Sequence, residues 1–232
     1  HADDREKDQP IKTYQDKASG TPCRTGGYRM KKGTFVVLAS GRGSNFQAII
    51  DRVRDGYIDA ACTCLVTDNP DAYAIQRAED AGIPAEIVSY KAFSDKNKYE
   101  DALLSVLARY NPDLVVLAGY MRLLGKKIVD SYNGRMMNIH PSLLPAFQGL
   151  HAQRQALMYG TKIAGCTVHF VTHDMDAGPV IVQRAVRVLD DDDEESLSER
   201  ILIEEHYAFP EAIKLFFEKK LQVDGRRVLI LP

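Results

Sequence analysis

Two runs of consecutive apolar residues, each the length of a β-strand, constrain the fold of this chain more than any other feature. They are Phe35–Ala39 (FVVLA) and Leu114–Ala118 (LVVLA). A strand without polar alternation has to be covered on both faces, which is typical of the middle of a parallel sheet packed between helices. The two runs therefore predict a central parallel sheet with helices on each face.

The segments around these runs alternate between strand and helix patterns. Further strands are predicted at Ala60–Val66, Ala85–Val88, Cys166–Val171 and Val180–Val188, and helices after Ser44, at Ala72–Ala81, at Lys96–Tyr110 and from the acidic run to about Lys219. Asp224-Gly225 is a hairpin-turn signal near the end of the chain. The pattern predicts a doubly wound α/β fold with a Rossmann-like, mostly parallel N-terminal half and antiparallel strands in the C-terminal half.

Length and composition indicate one domain. The chain has 232 residues, of which 45% are hydrophobic, enough for one substantial core. Residues 1–33 are polar and lack apolar periodicity, so we expect a flexible or loosely docked extension before a single domain at 34–232. No apolar run approaches the roughly 18 residues that span a bilayer, and residues 1–30 contain no signal-peptide core. We expect a cytoplasmic protein.

Charge and cysteine content exclude several classes of function. The net charge is −2, and the eight Lys and Arg of residues 1–33 leave 22 basic against 27 acidic residues in the rest of the chain, so a nucleic-acid surface is not expected. Four scattered cysteines do not form a disulfide framework, and Cys62 and Cys64 fit buried small hydrophobes better than metal ligands. The acidic run 190–195 fits a solvated first turn of a helix better than a metal site.

The octapeptide Asn138–Pro145 (NIHPSLLP) carries the strongest chemical signal. Residues two apart in a strand share a face, so Asn138 and His140 can converge on one small ligand. An amide can donate to a developing oxyanion, and an imidazole can move a proton near neutral pH. Prolines 141 and 145 end the strand and stiffen the loop that follows it. A lone His at a strand end is more often structural, so the octapeptide alone leaves both interpretations open.

The loop Ser40–Asn45 (SGRGSN) lies between a predicted strand and a predicted helix, where backbone N–H groups and the helix dipole favour an anion such as phosphate. It is not the dinucleotide motif, because Phe46 occupies the place of the third glycine. It is not a Walker loop either, because no Lys follows Gly43. A glycine-rich turn with a Ser or Asn helix cap explains the loop equally well.

Two further segments offer charged side chains. Arg122 follows a central strand, at the same sheet edge as the glycine loop, and suits an anionic or planar ligand, although an ordinary surface position is also open. Asp176, in the turn THDMDAGP, can approach His140 from across the crevice and favour its charged form. On these residues alone His173 and Asp174 compete for that role, and turn chemistry also explains the aspartate.

Taken together, the motifs Ser-Gly-x-Gly-Ser-Asn, Gly-Tyr-Met-Arg, Asn-Ile-His-Pro-Ser-Leu-Leu-Pro and Asp-Ala-Gly-Pro closely resemble those of the folate-dependent formyltransferases. The resemblance spans roughly residues 34–223, and the glycine loop points within that group to phosphoribosylglycinamide formyltransferases. It implies transfer of a formyl group from 10-formyltetrahydrofolate, as co-substrate, to the glycyl amine of phosphoribosylglycinamide in purine biosynthesis. It implies no metal.

The same resemblance implies roles for individual residues. It makes Asn138, His140 and Asp176 the catalytic trio, and it prefers Asp176 to Asp174 because the family carboxylate lies 36 residues after the His. The residues implied to bind the substrate are Gly43, Ser44 and Asn45 at the phosphate and Glu205 at the ribose. The residues implied to bind folate are Lys96, Met121, Arg122, Leu123, Leu124 and Asn138.

Other functions are consistent with parts of this pattern. A formyltetrahydrofolate hydrolase resembles the same core with an added N-terminal domain, for which residues 1–33 are too short, and the transferase acting on initiator tRNA adds a C-terminal barrel and a basic surface. A non-catalytic nucleotide-binding α/β module is the alternative from a different class, although it has no use for a converging Asn, His and Asp. We expect a monomer or weak homodimer that binds neither nucleic acid nor membrane.

Overall fold

The computed structural model describes residues 11–14 and 32–232. Within this part of the chain ten strands form one sheet. They are β1 (Ile11–Tyr14), β2 (Gly33–Leu38), β3 (Ala60–Thr67), β4 (Ala85–Val88), β5 (Leu114–Leu117), β6 (Met136–His140), β7 (Ile163–Phe170), β8 (Val180–Arg187), β9 (Leu221–Asp224) and β10 (Arg227–Ile230).

Six α-helices connect and cover these strands. They are α1 (Ser44–Arg54), α2 (Ala74–Ala81), α3 (Lys96–Tyr110), α4 (Lys126–Ser131), α5 (Ala152–Tyr159) and α6 (Glu194–Phe217). A single 3-10 turn at Tyr90–Ala92 precedes α3. None of the helices in the described ranges is long and apolar enough to cross a membrane.

The strand order is β1-β4-β3-β2-β5-β6-β7-β8-β10-β9. The central strands from β4 to β6 are parallel. Antiparallel pairing begins between β6 and β7, continues to β8, and recurs in the β9–β10 hairpin. This topology confirms the predicted α/β fold with a parallel N-terminal half and antiparallel strands toward the C-terminus.

The apolar run of β2 is divided between two helical layers. Phe35 and Val37 lie in one buried cluster with residues of α1, α2 and α6. Val36 and Leu38 lie in a second cluster with residues of α3 and α4. Because successive side chains of a strand alternate between faces, a strand with helices on both sides has to be apolar throughout.

Three elements were not anticipated. Strand β1 pairs antiparallel with β4 at the edge of the sheet. It lies in the segment 1–33, which was expected to be a flexible or loosely docked extension. Most of that segment lies outside the described residues, so the predicted domain boundary stays untested. Helix α4 contains only six residues, which give an apolar period too few turns to be recognised. Helix α5, with eight residues, was not predicted either.

The acidic run before α6 begins the helix as predicted, with one difference. Asp193 is the N-cap, and it forms a reciprocal capping box with Ser196. Asp192, expected to be solvated, is instead buried against Arg200, which donates to both of its oxygens at 2.6 and 2.8 Å. This ion pair and the N–H of Leu189 lower the pKa of Asp192.

The turn between β7 and β8 is closed by a tight backbone approach, and this gives a testable prediction. A Cβ added to Gly178 would lie 1.7 Å from the carbonyl oxygen of Phe170, so the Gly178→Ala backbone has to shift. We expect this change to lower the unfolding free energy by about 1–3 kcal/mol, measured by chemical denaturation. Gly41→Ala is the control, since nothing lies within 4 Å of its added Cβ; equal losses in both variants would contradict the steric explanation.

Candidate active site

Strand β6 carries the two polar residues of the octapeptide on one face. Met137 and Ile139 lie in the core cluster that contains α1 and α6, so the alternating Asn138 and His140 face the opposite side of the sheet. The parallel neighbour β5 aligns Leu117 with Asn138. The polar face of β6 therefore lies beside the loop that follows β5.

Asp176 reaches this face from the turn between β7 and β8. One of its oxygens, Oδ2, lies 3.4 Å from Nδ1 of His140, and both side chains are almost fully buried. The same oxygen accepts the N–H of Gly149 at 2.9 Å. Asp176 has a left-handed backbone with φ of 50°, a strained conformation for a residue with a side chain, which surrounding contacts have to stabilise. Gln148 supplies one by donating its Nε2 to the carbonyl oxygen of Asp176 at 2.9 Å.

The second nitrogen of His140 is also engaged. Its Nε2 lies 2.8 Å from the carbonyl oxygen of Phe147. A carbonyl and a carboxylate both only accept hydrogen bonds, so both ring nitrogens of His140 can donate at once only when the ring is protonated. Each ring nitrogen of His140 therefore faces an oxygen that can only accept a hydrogen bond.

His169 completes the site, and it was missed in the sequence. The antiparallel register places it directly opposite Asn138. Its Nδ1 lies 2.9 Å from the carbonyl of Phe170 and so carries the proton. Burial lowers the pKa of His169, so the ring is neutral and its Nε2 accepts from Nδ2 of Asn138 at 3.3 Å. This contact fixes the amide of Asn138 and leaves its second N–H for a ligand.

Some of these residues could not have been found from sequence pattern. His169 sits in a strand-like run, but only the register of β6 against β7 shows that it faces Asn138. The loop after β6 contributes through the backbone of Phe147 and Gly149 and the side-chain amide of Gln148. No sequence motif marks these three residues.

The three candidate residues in the turn between β7 and β8 have different surroundings. His173 is half-exposed and its Nε2 pairs with Asp130 at 2.9 Å. Asp174 is exposed, and its backbone carbonyl accepts from the side chain of Thr172. Asp176 is the member of this turn that contacts His140.

The glycine loop forms the N-terminus of α1. Gly43 is the N-cap with a left-handed φ of 67° and no side-chain cap. A Cβ here would also meet Ala74 at 2.8 Å, so both conformation and space require glycine. The first N–H groups of a helix have no acceptor within the helix, and those of Ser44 and Asn45 are therefore available to an anion.

Glu205 of α6 is joined to this loop. The side chain of Asn45 donates to Oε2 of Glu205 at 2.7 Å, which brings the residues predicted to bind phosphate and ribose into direct contact. Glu205 is only 7% exposed, and burial raises its pKa to about 7, against the lowering effect of the Asn45 hydrogen bond. Near neutral pH this carboxyl can therefore donate as well as accept a hydrogen bond.

The segment predicted to bind folate borders the same edge. The backbone N–H of Met121 donates to Ser40 Oγ at 2.9 Å, which ties this segment to the glycine loop. Met121 and Leu123 are 70% and 66% exposed, whereas Leu124 packs against the core. Lys96 stands apart on α3.

Lys96 is nonetheless connected to the end of that segment. Its ammonium lies 3.5 Å from Glu100, and the buried Glu100 carboxylate accepts the N–H of Gly125 at 2.7 Å. The structure shows this indirect link and no direct contact between Lys96 and Met121–Leu124.

The described cysteines are free thiols. Cys64 is buried, and burial raises its pKa to about 12; the pKa of the half-buried Cys62 is raised in the same way. Both thiols thus stay protonated, as expected for small hydrophobes, while Cys23 lies outside the described residues. Among residues 32–232 no group of three or more His, Cys, Asp and Glu is arranged to hold a metal ion.

A sequence model of one family, described as formyl transferase, matches residues 33–213. The chain belongs to this family. It is 44% identical over 185 residues to phosphoribosylglycinamide formyltransferase of Bacillus subtilis (strain 168), a match that covers 80% of this chain and 94% of that protein. It is 48% identical over 182 residues to trifunctional purine biosynthetic protein adenosine-3 of Drosophila melanogaster, covering 78% of this chain but only 14% of that much longer protein.

Solved structures of formyl-handling enzymes share the fold. Glycinamide ribonucleotide transformylase 1 from Symbiobacterium toebii superimposes with a TM-score of 0.86 at 47% identity, covering 93% of this chain and 100% of that one. A formyltetrahydrofolate deformylase from Pseudomonas syringae pv. tomato superimposes with a TM-score of 0.81 at 27% identity, covering 87% of this chain and 67% of that one. The predicted formyltransferase family is confirmed.

The raised pKa of Glu205 predicts a pH-dependent stability. Between its ordinary value and about 7 the folded protein holds a proton that the unfolded chain has released. The contribution of the neutral carboxyl to the unfolding free energy is therefore fully present at low pH, and it is lost as the pH rises through 7. We expect wild type to lose roughly 2 kcal/mol of unfolding free energy relative to Glu205→Gln between pH 5 and pH 8.

Thermal and chemical unfolding of the ligand-free protein measure this difference. Glu199→Gln is the control, because Glu199 is exposed on the same helix. A difference between wild type and Glu205→Gln that does not change with pH would contradict the assigned protonation.

Proposed function

We propose that this chain transfers the formyl group of 10-formyltetrahydrofolate to the glycyl amine of phosphoribosylglycinamide, a step of purine biosynthesis. The observation that carries the proposal is the convergence of Asn138, His140 and Asp176 on one face of β6, in a chain of the formyl transferase family. A cytoplasmic location and a monomer or weak homodimer belong to the same proposal.

The oxygen of the formyl group is the point at which charge develops. When the neutral amine attacks the formyl carbon, the electron pair of the C=O bond moves to this oxygen. The second N–H of Asn138 and the Nε2–H of His140 donate to it. For this His140 exchanges its hydrogen bond to the Phe147 carbonyl for one to the substrate, while Asp176 continues to hold Nδ1.

Proton balance follows from the same groups. The amine nitrogen becomes acidic as its bond to the formyl carbon forms, and N10 of the folate takes a proton as its bond to that carbon breaks. His140 or an ordered water passes this proton from one nitrogen to the other. If His140 carries the proton, its Nε2–H goes to N10 and the ring then takes a proton from the amine, so the protonation state of His140 is the same before and after each turnover.

The two ligands approach from different loops. The N-terminus of α1 at Gly43–Asn45 suits the substrate phosphate, and Glu205, hydrogen-bonded to Asn45, suits a ribose hydroxyl as donor or acceptor. The exposed apolar Met121 and Leu123 suit the flat pterin and benzoyl rings of the folate. Holding both ligands in one crevice makes the transfer effectively unimolecular.

Substitution of the trio tests the chemistry. We expect His140→Ala, Asn138→Ala and Asp176→Ala each to lower turnover by at least roughly 10²-fold, the usual effect of losing an acid–base group or oxyanion donor. Asp176→Asn separates charge from structure, because an amide oxygen can still accept from Gly149 N–H. Asp174→Ala, from the same turn, should retain normal turnover, and every variant should remain folded. A fully active Asp176→Ala protein would contradict the proposal.

The structural similarity to a deformylase makes formate release the specific alternative. Purified protein is therefore assayed with 10-formyltetrahydrofolate in the presence and absence of phosphoribosylglycinamide. We expect formylated product only with the acceptor, and little formate without it. Formate release at the same rate in both reactions would favour hydrolysis.

A further inference from the structure

The guanidinium of Arg122 is held from two directions. Its Nε donates to Oδ2 of Asp68 at 2.7 Å, and its Cζ lies 4.5 Å from the centre of the Tyr90 ring. Tyr90 in turn packs edge-on against Tyr99 of α3. Arg122, which is predicted to bind folate, is therefore a side chain that the protein itself holds in place.

Asp68 is an unusual partner for a half-exposed arginine. It follows β3 at the carboxyl edge of the sheet, and its side chain is only 4% exposed. Its Oδ1 is buried and has no hydrogen-bond partner within the described part of the chain. A buried carboxylate with one unsatisfied oxygen is destabilising by itself, so packing alone does not explain Asp68 at this position.

The contact to Asp68 determines which part of Arg122 faces outward. A guanidinium can bind a carboxylate through a pair of parallel N–H groups. Because Nε is occupied by Asp68, the pair that remains is Nη1 and Nη2. The side chain is 40% exposed, and its neighbours along the chain, Met121 and Leu123, are exposed apolar residues. An aromatic group ending in a carboxylate matches this combination of surfaces.

We infer that Asp68 is a positioning residue that orients the Arg122 guanidinium for the carboxylate-bearing tail of the folate co-substrate. The inference rests on the proposed function, since it assigns a partner to one end of the folate that the reaction uses. The tail of 10-formyltetrahydrofolate is a p-aminobenzoyl group joined to glutamate. Its ring fits beside Met121 and Leu123, and a glutamate carboxylate fits the two Nη groups.

The charges around Arg122 indicate that Asp68 orients the guanidinium and does not strengthen its attraction for an anion. Asp68 compensates the charge of Arg122, so the pair itself offers an anion little net charge. Removing Asp68 would free one positive charge, but water and salt screen a charge at this exposure. The same change would remove one of the two contacts that hold Arg122. The side-chain entropy lost when the guanidinium is fixed again on binding then outweighs the attraction of the screened charge.

The test compares two pterins that differ only in the tail. Binding of tetrahydrofolate and of tetrahydropteroate, which lacks the glutamate, is measured without acceptor by titration calorimetry. We expect Asp68→Ala to weaken tetrahydrofolate about tenfold and to leave tetrahydropteroate within twofold of wild type. Asp68→Asn, which retains an acceptor for Nε, should recover most of the affinity. In turnover assays Asp68→Ala should raise KM for the folate with kcat unchanged.

Two further measurements separate positioning from a structural role. Asp68→Ala should show a steeper loss of tetrahydrofolate binding with ionic strength, because its Arg122 carries an uncompensated charge. In an Arg122→Ala background, Asp68→Ala should have no additional effect on tetrahydrofolate. Asp101→Ala is the control, since that carboxylate pairs with Lys127 on the surface of the same region.

Equal weakening of both pterins by Asp68→Ala would overturn the inference, as would undiminished binding of tetrahydrofolate. These outcomes differ from failure of the proposed function. A wild-type protein that binds neither pterin would contradict the function itself, whereas one that binds both but ignores Asp68 would contradict only the positioning role.

Discussion

The site depends on one change of direction in the sheet: β6 pairs in parallel with β5 and antiparallel with β7. The parallel pairing brings the end of β6 beside the loops that follow β2 and β5. The antiparallel pairing returns the chain to the start of β6, where the N–H of Val171 donates to the carbonyl of Met136. Loops from both ends of β6 can therefore meet over its polar face, and the bond between Gly149 and Asp176 joins them.

The sequence was informative wherever the chemistry is local. Continuous apolar runs located β2 and β5, and the spacing of Asn138 and His140 placed them on one face, because both depend only on the geometry of a strand. The resemblance to formyltransferases then selected Asp176 over Asp174. What could not be predicted depends on pairing across the chain: His169 matters only through its register with Asn138, and Asp68 only through its contact with Arg122.

Buried carboxylates occur around this site in three different electrostatic situations. Asp176 lies near two imidazoles, His140 and His169. Asp68 has a guanidinium on one oxygen and, within the described residues, no hydrogen-bond partner on the other. Glu205 accepts from the amide of Asn45, and its pKa is raised to about 7. The three carboxyl groups therefore have different roles: Asp176 is a counter-ion, Asp68 is an orienting group and Glu205 is a neutral hydrogen-bonding acid. The nearest donor determines the role of each.

The Phe147 carbonyl occupies the position on His140 that the proposed reaction assigns to the formyl oxygen. It lies 2.8 Å from Nε2 of His140 and is the kind of oxygen that the formyl group offers in the proposed reaction. An empty site would otherwise leave an N–H of the buried ring facing no acceptor, at a substantial desolvation cost. Ligand binding then becomes an exchange of one carbonyl for another rather than the creation of a new charged contact. The hydrogen bond from His140 therefore contributes little free energy to ligand binding. It becomes stronger when the formyl oxygen becomes negative in the transition state.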